Sequence, residues 1–273
     1  MKRSAAIVLA ALLGLAFSST PASAHPAGAE HYPDLQTLKP SEIRITQSCS
    51  VVFFGCKKQL RFSNIIGNYG HGPLEMRPQN NFGSARTKAY QRIYSHDAAG
   101  TRYFVREVPV GDFAFHTAHA HWHFEGFANY SLVTANASDN AITGIKKRSS
   151  QKTTFCVIDT NLLSSTLEHA GPQTYTRCGQ TDWTGLTVGW GDRYGWNLAG
   201  QEMDLNGVGD GYYWLVSTAD FQRRLTETNE TNNCAAAKIE IRGTSVFDRG
   251  QKIPCSPVES CFAVAAWAWA CSA

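Results

Sequence analysis

The sequence predicts an all-β protein, a β-sandwich with long irregular loops stabilised by disulfides. Three observations carry that expectation. Short stretches rich in β-branched and aromatic residues alternate with period two, as half-buried strands do. Glycine-rich turns separate them, and no long stretch repeats at the helical period of 3.6. The chain also holds eight cysteines, an even count that suggests disulfides in a secreted protein.

Taken in order, the chain starts with a stretch that reads as a secretory signal over residues 1–24. Lys2 and Arg3 supply the charged region, residues 5–17 the apolar region, and Ala22-Ser23-Ala24 the small-residue cleavage motif. A membrane-spanning helix needs about 20 apolar residues, more than this segment offers. The mature chain is therefore expected to begin near His25 and to be extracellular, with no stable membrane anchor. Residues 25–42 are polar and proline-dotted, and are expected as a poorly ordered arm. The main domain is expected over 43–245, with strands at 51–54, 60–66, 91–94, 101–108, 121–133, 153–158, 187–190, 212–216 and 237–241. Residues 226–233, rich in Asn and Thr, read as a polar turn before the last of these strands. Residues 246–273 form a C-terminal tail whose apolar stretch at 262–270 is too short to cross a bilayer.

The cysteines are Cys49, Cys56, Cys156, Cys178, Cys234, Cys255, Cys261 and Cys271. Cys49–Cys56 and Cys156–Cys178 are plausible local pairs. No C-x-x-C pair exists, which speaks against thiolate metal binding. The formal net charge is +3, and only Lys146, Lys147 and Arg148 cluster. That is too little for a polyanion-binding stripe, so nucleic acid is not an expected partner.

The chemistry concentrates between His116 and His123, where four of the nine histidines fall. The centre of this run is His119-x-His121-x-His123. Neutral imidazole is the commonest metal ligand, and alternating residues of a strand share a face. Such an array suits a borderline ion such as copper or zinc. The spacing sets a limit as well. On a straight strand His119 and His123 stand roughly 13 Å apart, so a three-histidine site requires a bend or bulge. Otherwise His121 pairs with one neighbour and the third ligand comes from elsewhere, His116 being one candidate.

Around this array the sequence resembles the lysyl oxidase family. Phe115-His116 leads into His119, His121 and His123, followed by Glu125 and Phe127, as in that family's copper-binding segment. Ala118 stands where the family usually has a cysteine. Residues 152–160 are similar to the family segment in which a lysine precedes a cysteine by four positions and Asp-Thr follows. Residues 185–194 are similar to its tyrosine segment, starting Gly-Leu and ending Asp-x-Tyr. Residues 203–216 and 227–234 resemble its closing strands and Asn-Asn turn, and residues 60–64 and 72–78 the opening of secreted bacterial members. The likeness runs from about residue 48 to 242.

The resemblance implies a copper ion on His119, His121 and His123, and a lysine tyrosylquinone cofactor formed from Lys152 and Tyr194. Lys146 and Lys147 are rivals for the lysine, but only Lys152 has the matching distance to Cys156. It implies an oxidase that converts primary amines, peptidyl lysine or small amines, to aldehydes. Molecular oxygen is the acceptor, and ammonia and hydrogen peroxide are released. Asp192 and Glu125 are both candidates for the general base. Two other readings of the histidine run remain open: a non-catalytic copper-binding β-sandwich, and a zinc hydrolase with a His₃ site and an open water position.

Overall fold

The computed structural model describes residues 28–50, 55–79, 84–117, 120–150, 152, 154–178 and 183–255. The expected signal segment, the expected strand at 51–54, His119, and Cys261 and Cys271 lie outside them. The described residues form strands and connecting loops with no helix. The strands are β1 (Glu30–His31), β2 (Leu35–Thr37), β3 (Ser41–Ser50), β4 (Gly55–Asn68), β5 (Leu74–Pro78), β6 (Arg86–His96), β7 (Arg102–His116), β8 (His121–Glu125), β9 (Ala128–Ala135), β10 (Lys146–Ser149), β11 (Thr154–Phe155), β12 (Asn161–Leu162), β13 (Thr184–Leu186), β14 (Trp190–Tyr194), β15 (Glu202–Asp204), β16 (Gly211–Ala219), β17 (Cys234–Arg242) and β18 (Ser245–Lys252).

They make three antiparallel sheets. One runs β11-β8-β7-β6-β5-β13, with β1 also paired to β6. The second runs β10-β9-β16-β17-β18. The third is built on β4, whose residues 61 and 66 each pair with two strands. β3 and β2 therefore lie along one flank, and β15 and β14 along the other.

One apolar core joins the three sheets. Phe62 and Leu60 come from β4, Phe113 and Phe124 from β7 and β8, and Tyr130, Leu215 and Ile239 from the second sheet. Strand alternation sorts β16 residue by residue. Tyr213 and Leu215 face this core, while Trp214 and Val216 face a smaller cluster with Ile142, Cys234 and Cys255 on the opposite side. Both faces of β16 and β17 are thus covered, which is why nearly every residue of these strands is buried. Three disulfides close local loops: Cys49–Cys56, Cys156–Cys178 and Cys234–Cys255.

Several expected elements differ. Residues 28–42 are not a loose arm. Leu35 is fully buried, its amide donates to Glu227 Oε2 at 2.6 Å, and Asn232 Nδ2 donates to Asp34 Oδ1 at 2.9 Å. The polar turn at 226–233 thus holds the N-terminal segment in place, a long-range effect that the proline-dotted composition does not reveal. The expected strand at 187–190 is a turn between β13 and β14. Gly189 has φ +84, and a Cβ there would meet the Ser164 carbonyl at 2.0 Å, so the chain must reverse at that point. The expected strand at 121–133 is two strands, broken at Gly126 with φ +84. β18 carries the second sheet beyond the expected boundary at 245.

Candidate active site

The histidine run does not form one extended strand. β7 ends at His116, and β8 starts at His121 and runs back antiparallel to it. The turn is closed by the Ala120 amide donating to the His116 carbonyl at 2.9 Å, with Ala120 at φ 55. This reversal places His116 directly across from His121 in the register. His121 and His123, two apart on β8, share a face, and their Nε2 atoms lie 2.9 Å apart. The His116 ring stacks on His123 with centroids 4.8 Å apart and planes 22° from parallel. His123 is buried and His121 half-buried. Three imidazoles therefore gather on one hairpin; His119 lies outside the described residues. A metal bound at about 2.0 Å from each nitrogen fits the His121–His123 pair.

Strand pairing links this hairpin to the lysine and the tyrosine. β11 runs antiparallel to β8, with Phe155 opposite Phe124 and Thr154 opposite Glu125. Lys152 lies just ahead of β11, and its Nζ is 5.0 Å from the centroid of the Tyr194 ring. Phe155 completes the group, with its ring edge-on to Tyr194 at 5.0 Å. Tyr194 stands on β14, held against Asn64 of β4, and its hydroxyl donates to the Cys156 carbonyl at 2.7 Å. The Cys156–Cys178 disulfide fixes that carbonyl's residue. Two residues earlier on the same face, buried Asp192 accepts from the Thr160 hydroxyl at 3.4 Å.

The environment changes the acid–base character of all three groups. Burial pushes the Lys152 ammonium below its ordinary range, and Asp192 and Glu202 only partly restore it. Burial also raises Tyr194 well above a normal phenol, and the Asp192 charge adds to this. Asp192 is raised well above a normal carboxyl by burial, which the Tyr194 hydroxyl and the Ile158 amide only partly offset. Glu125 differs: it forms an ion pair with the exposed Arg86. Lys146 and Lys147 are on β10 beside β9, in a different sheet from Tyr194.

The family model described as Lysyl oxidase matches residues 81–249, more than half of the chain. The chain belongs to the lysyl oxidase family. Among its relatives, lysyl oxidase homolog 4 of Bos taurus is 28% identical over 134 residues, 49% of this chain and 16% of that protein. Protein-lysine 6-oxidase of Homo sapiens is 26% identical over 152 residues, covering 55% of this chain and 33% of that protein. Lysyl oxidase homolog 3B of Danio rerio is 25% identical over 195 residues, 71% of this chain and 19% of that protein. The chain therefore spans at most a third of the length of these lysyl oxidases.

Within this member of the family, two supporting residues were not singled out as site residues: Thr160 appears only as the end of the Asp-Thr motif, and Gly200 gave no signal. Thr160 bridges Asp192 and the Arg193 amide, the latter at 2.6 Å. Gly200, at φ +82, leaves room for the Lys152 stem, since a Cβ there would lie 3.3 Å from Lys152 Cβ.

Proposed function

We propose that this lysyl oxidase family member is a secreted copper-dependent amine oxidase, converting primary amines to aldehydes: RCH₂NH₂ + O₂ + H₂O gives RCHO + NH₃ + H₂O₂. The observation that carries the reading is the 5.0 Å approach of Lys152 Nζ to the Tyr194 ring, one strand pairing away from the histidine hairpin. His121 and His123 are assigned as copper ligands with His119, and His116 as the ring that packs against His123. Copper and a lysine tyrosylquinone made from Lys152 and Tyr194 supply the electron sink and its reoxidation by oxygen.

The chain's own residues do the rest. Neutral amine is the nucleophilic form of lysine, and the burial that depresses Lys152 enriches it. The hydrogen bond to Cys156 holds the Tyr194 ring in one orientation, and Phe155 bounds the Lys152 stem on one side. Asp192 is the proton acceptor. It is buried, lies beside Tyr194, and burial raises its carboxyl above the ordinary range, making its ionised form a stronger base. Glu125 is less suited because Arg86 holds it. Three disulfides support an extracellular setting. Among the described residues no helix is long and apolar enough to cross a membrane.

The test is peroxide release from copper-loaded protein across a panel of peptidyl-lysine and small amines, together with peptide mapping for a fragment joining Lys152 to Tyr194. Lys152→Ala and Tyr194→Phe should each lose both signals while keeping the β circular-dichroism spectrum. Wild-type peroxide release from both variants overturns the reading.

A further inference from the structure

Four of the other histidines, His31, His71, His96 and His169, lie together far from the hairpin. His31 is the last residue of β1, His96 the last of β6, and His169 follows β12 in a loop. β1 pairs with β6 so that His31 sits opposite Tyr94, two residues before His96. His31 and His96 then face each other with their Nδ1 atoms 2.8 Å apart. The His169 ring stacks on His96, with centroids 4.0 Å apart and planes 4° from parallel. It also lies 5.0 Å from the His31 ring. One nitrogen from each of the three falls within 4.8 Å of the other two.

We propose that His31, His96 and His169 are the ligands of a second metal site, one that takes a borderline divalent ion such as zinc(II) and clamps the N-terminal strand to the sheet. Three features point to a ligand rather than to chance crowding. First, a tetrahedral zinc with bonds of about 2.0–2.1 Å spaces its ligand atoms roughly 3.3 Å apart, and here the His31 and His96 Nδ1 atoms are 2.8 Å apart with all three ligand nitrogens within 4.8 Å of one another. Second, a carboxylate stands behind the rings. Glu168 places Oε1 3.6 Å from His169 Nε2, just beyond hydrogen-bond length, and Oε2 3.4 Å from His71 Nδ1, so a small shift gives His169 the carboxylate partner that orients metal-bound imidazoles. Third, the backbone is shaped to bring the rings in. His169 is held at φ 64, an uncommon conformation for a residue with a side chain. Gly70 and Gly72 let their turn lie directly on the chain at 31–34, where a Cβ on Gly72 would sit 2.1 Å from the His31 carbonyl. His31 is buried, while His71 and His169 remain partly open to solvent, leaving a route of entry.

This site is separate from the hairpin. Ala114, which pairs with His123, pairs on its other side with Arg86 at the start of β6. His96 is ten residues further along that strand, roughly 30 Å away at the rise of a β-strand. The site therefore serves a structural role, joining β1, β6 and the 160s loop.

Zinc retention by the full chain tests it. A His119→Ala/His121→Ala/His123→Ala variant, with the hairpin ligands removed, should hold about one equivalent of zinc after dialysis. Adding His96→Gln and His169→Asn should abolish that binding; asparagine tolerates the left-handed backbone at 169. A folded triple variant that retains no zinc, or a five-fold variant that still retains it, overturns the proposal. If the variants fail to fold, the unaltered chain decides. Zinc should slow diethyl pyrocarbonate modification of His96 and His169 by more than about tenfold in mapped peptides. Equal modification with and without zinc overturns the proposal.

Discussion

The two histidine groups stand at opposite ends of the β6–β7 ribbon and are assembled in opposite ways. The hairpin group comes from eight consecutive residues, and the antiparallel pairing of β7 with β8 brings His116 opposite His121. The distant group gathers residues 31, 96 and 169 from a strand, another strand and a loop. Loop closure costs more entropy as the loop lengthens, so the first group can form with its hairpin alone. The second exists only once the whole sheet is built. A metal on the first is thus a local event; a metal on the second reports tertiary structure. The Lys152–Tyr194 pair sits between these extremes, forty-two positions apart in sequence and joined through β11 and β14.

The largest effects should separate the two groups outright. His121→Ala should lower copper retention at the hairpin by more than ~100-fold, and amine-dependent peroxide release should vanish with it. His169→Asn should leave copper retention at the hairpin within about twofold of wild type. Copper analysis by mass spectrometry reads both variants. A fall in hairpin copper on replacing His169 would break the contrast, because it would couple two groups at opposite ends of the sheet.

Next in size is Asp192→Asn, expected to slow amine oxidation by roughly 10²–10⁴-fold. The sign of the pH effect follows from burial. Asp192 is held protonated well above the ordinary carboxyl range, and only its ionised form accepts a proton. Activity should therefore rise with pH through that raised pKa, and the Asn variant should lose this limb of the profile. For stability the direction is opposite. A carboxyl whose folded pKa is raised favours the folded state below its unfolded value, and that favour is lost as pH rises through the folded pKa. Asp192→Asn should thus gain stability relative to wild type on the alkaline side. A pH profile unchanged by the substitution would remove Asp192 from proton transfer.

Gly72→Ala is a smaller and more selective probe. The new methyl would press on the His31 backbone, at a cost of about 1–3 kcal/mol. At about 2–4 °C per kcal/mol for a domain of this size, calorimetry should resolve the shift. Zinc retention at the distant group should fall, and copper on the hairpin should not. Equal loss at both would mean that the hairpin, too, depends on the packing of the N-terminal segment.

How much of this was legible in the sequence follows the same division. His121 and His123 were legible because two-residue spacing on a strand dictates a shared face, and so was the need for a bend. The hairpin that supplies the bend was not, because residues 115–123 carry no Asn-Gly or Asp-Gly turn signal. The all-β class was legible from period-two stretches such as 101–108, and the turn at Gly189 was misread because its apolar neighbours resemble a strand. The approach of Lys152 to Tyr194 came only through family resemblance. No periodicity connects positions 152 and 194, and their meeting depends on the pairing of β11 with β8 and of β14 with β4. The group at 31, 96 and 169 left no trace at all. Each histidine is isolated in its own stretch, and the arm around His31 reads as polar and loose until Glu227 and Asn232 are seen to hold it.

The smallest expected effect is at Gly200. Its φ of +82 is one that a side chain adopts only at a cost of roughly 1–2 kcal/mol. Its missing Cβ also leaves space for the Lys152 stem, which would otherwise be touched at 3.3 Å on both Cβ and Cδ. Gly200→Ala touches neither histidine group, so copper and zinc retention should both stay at wild-type levels. Lys152 should be displaced from the Tyr194 ring, and joining of the two peptides after copper addition in air should slow several-fold, since small misplacements of reacting groups carry large rate costs. Conservative Gly200→Asn, which accepts the left-handed backbone more readily yet carries the same Cβ, separates the two causes. If the slowing arises from crowding, Asn slows the joining as Ala does while recovering part of the stability. Recovery of both rate and stability by Asn would show that backbone conformation, not the space around the lysine stem, sets how Lys152 meets Tyr194.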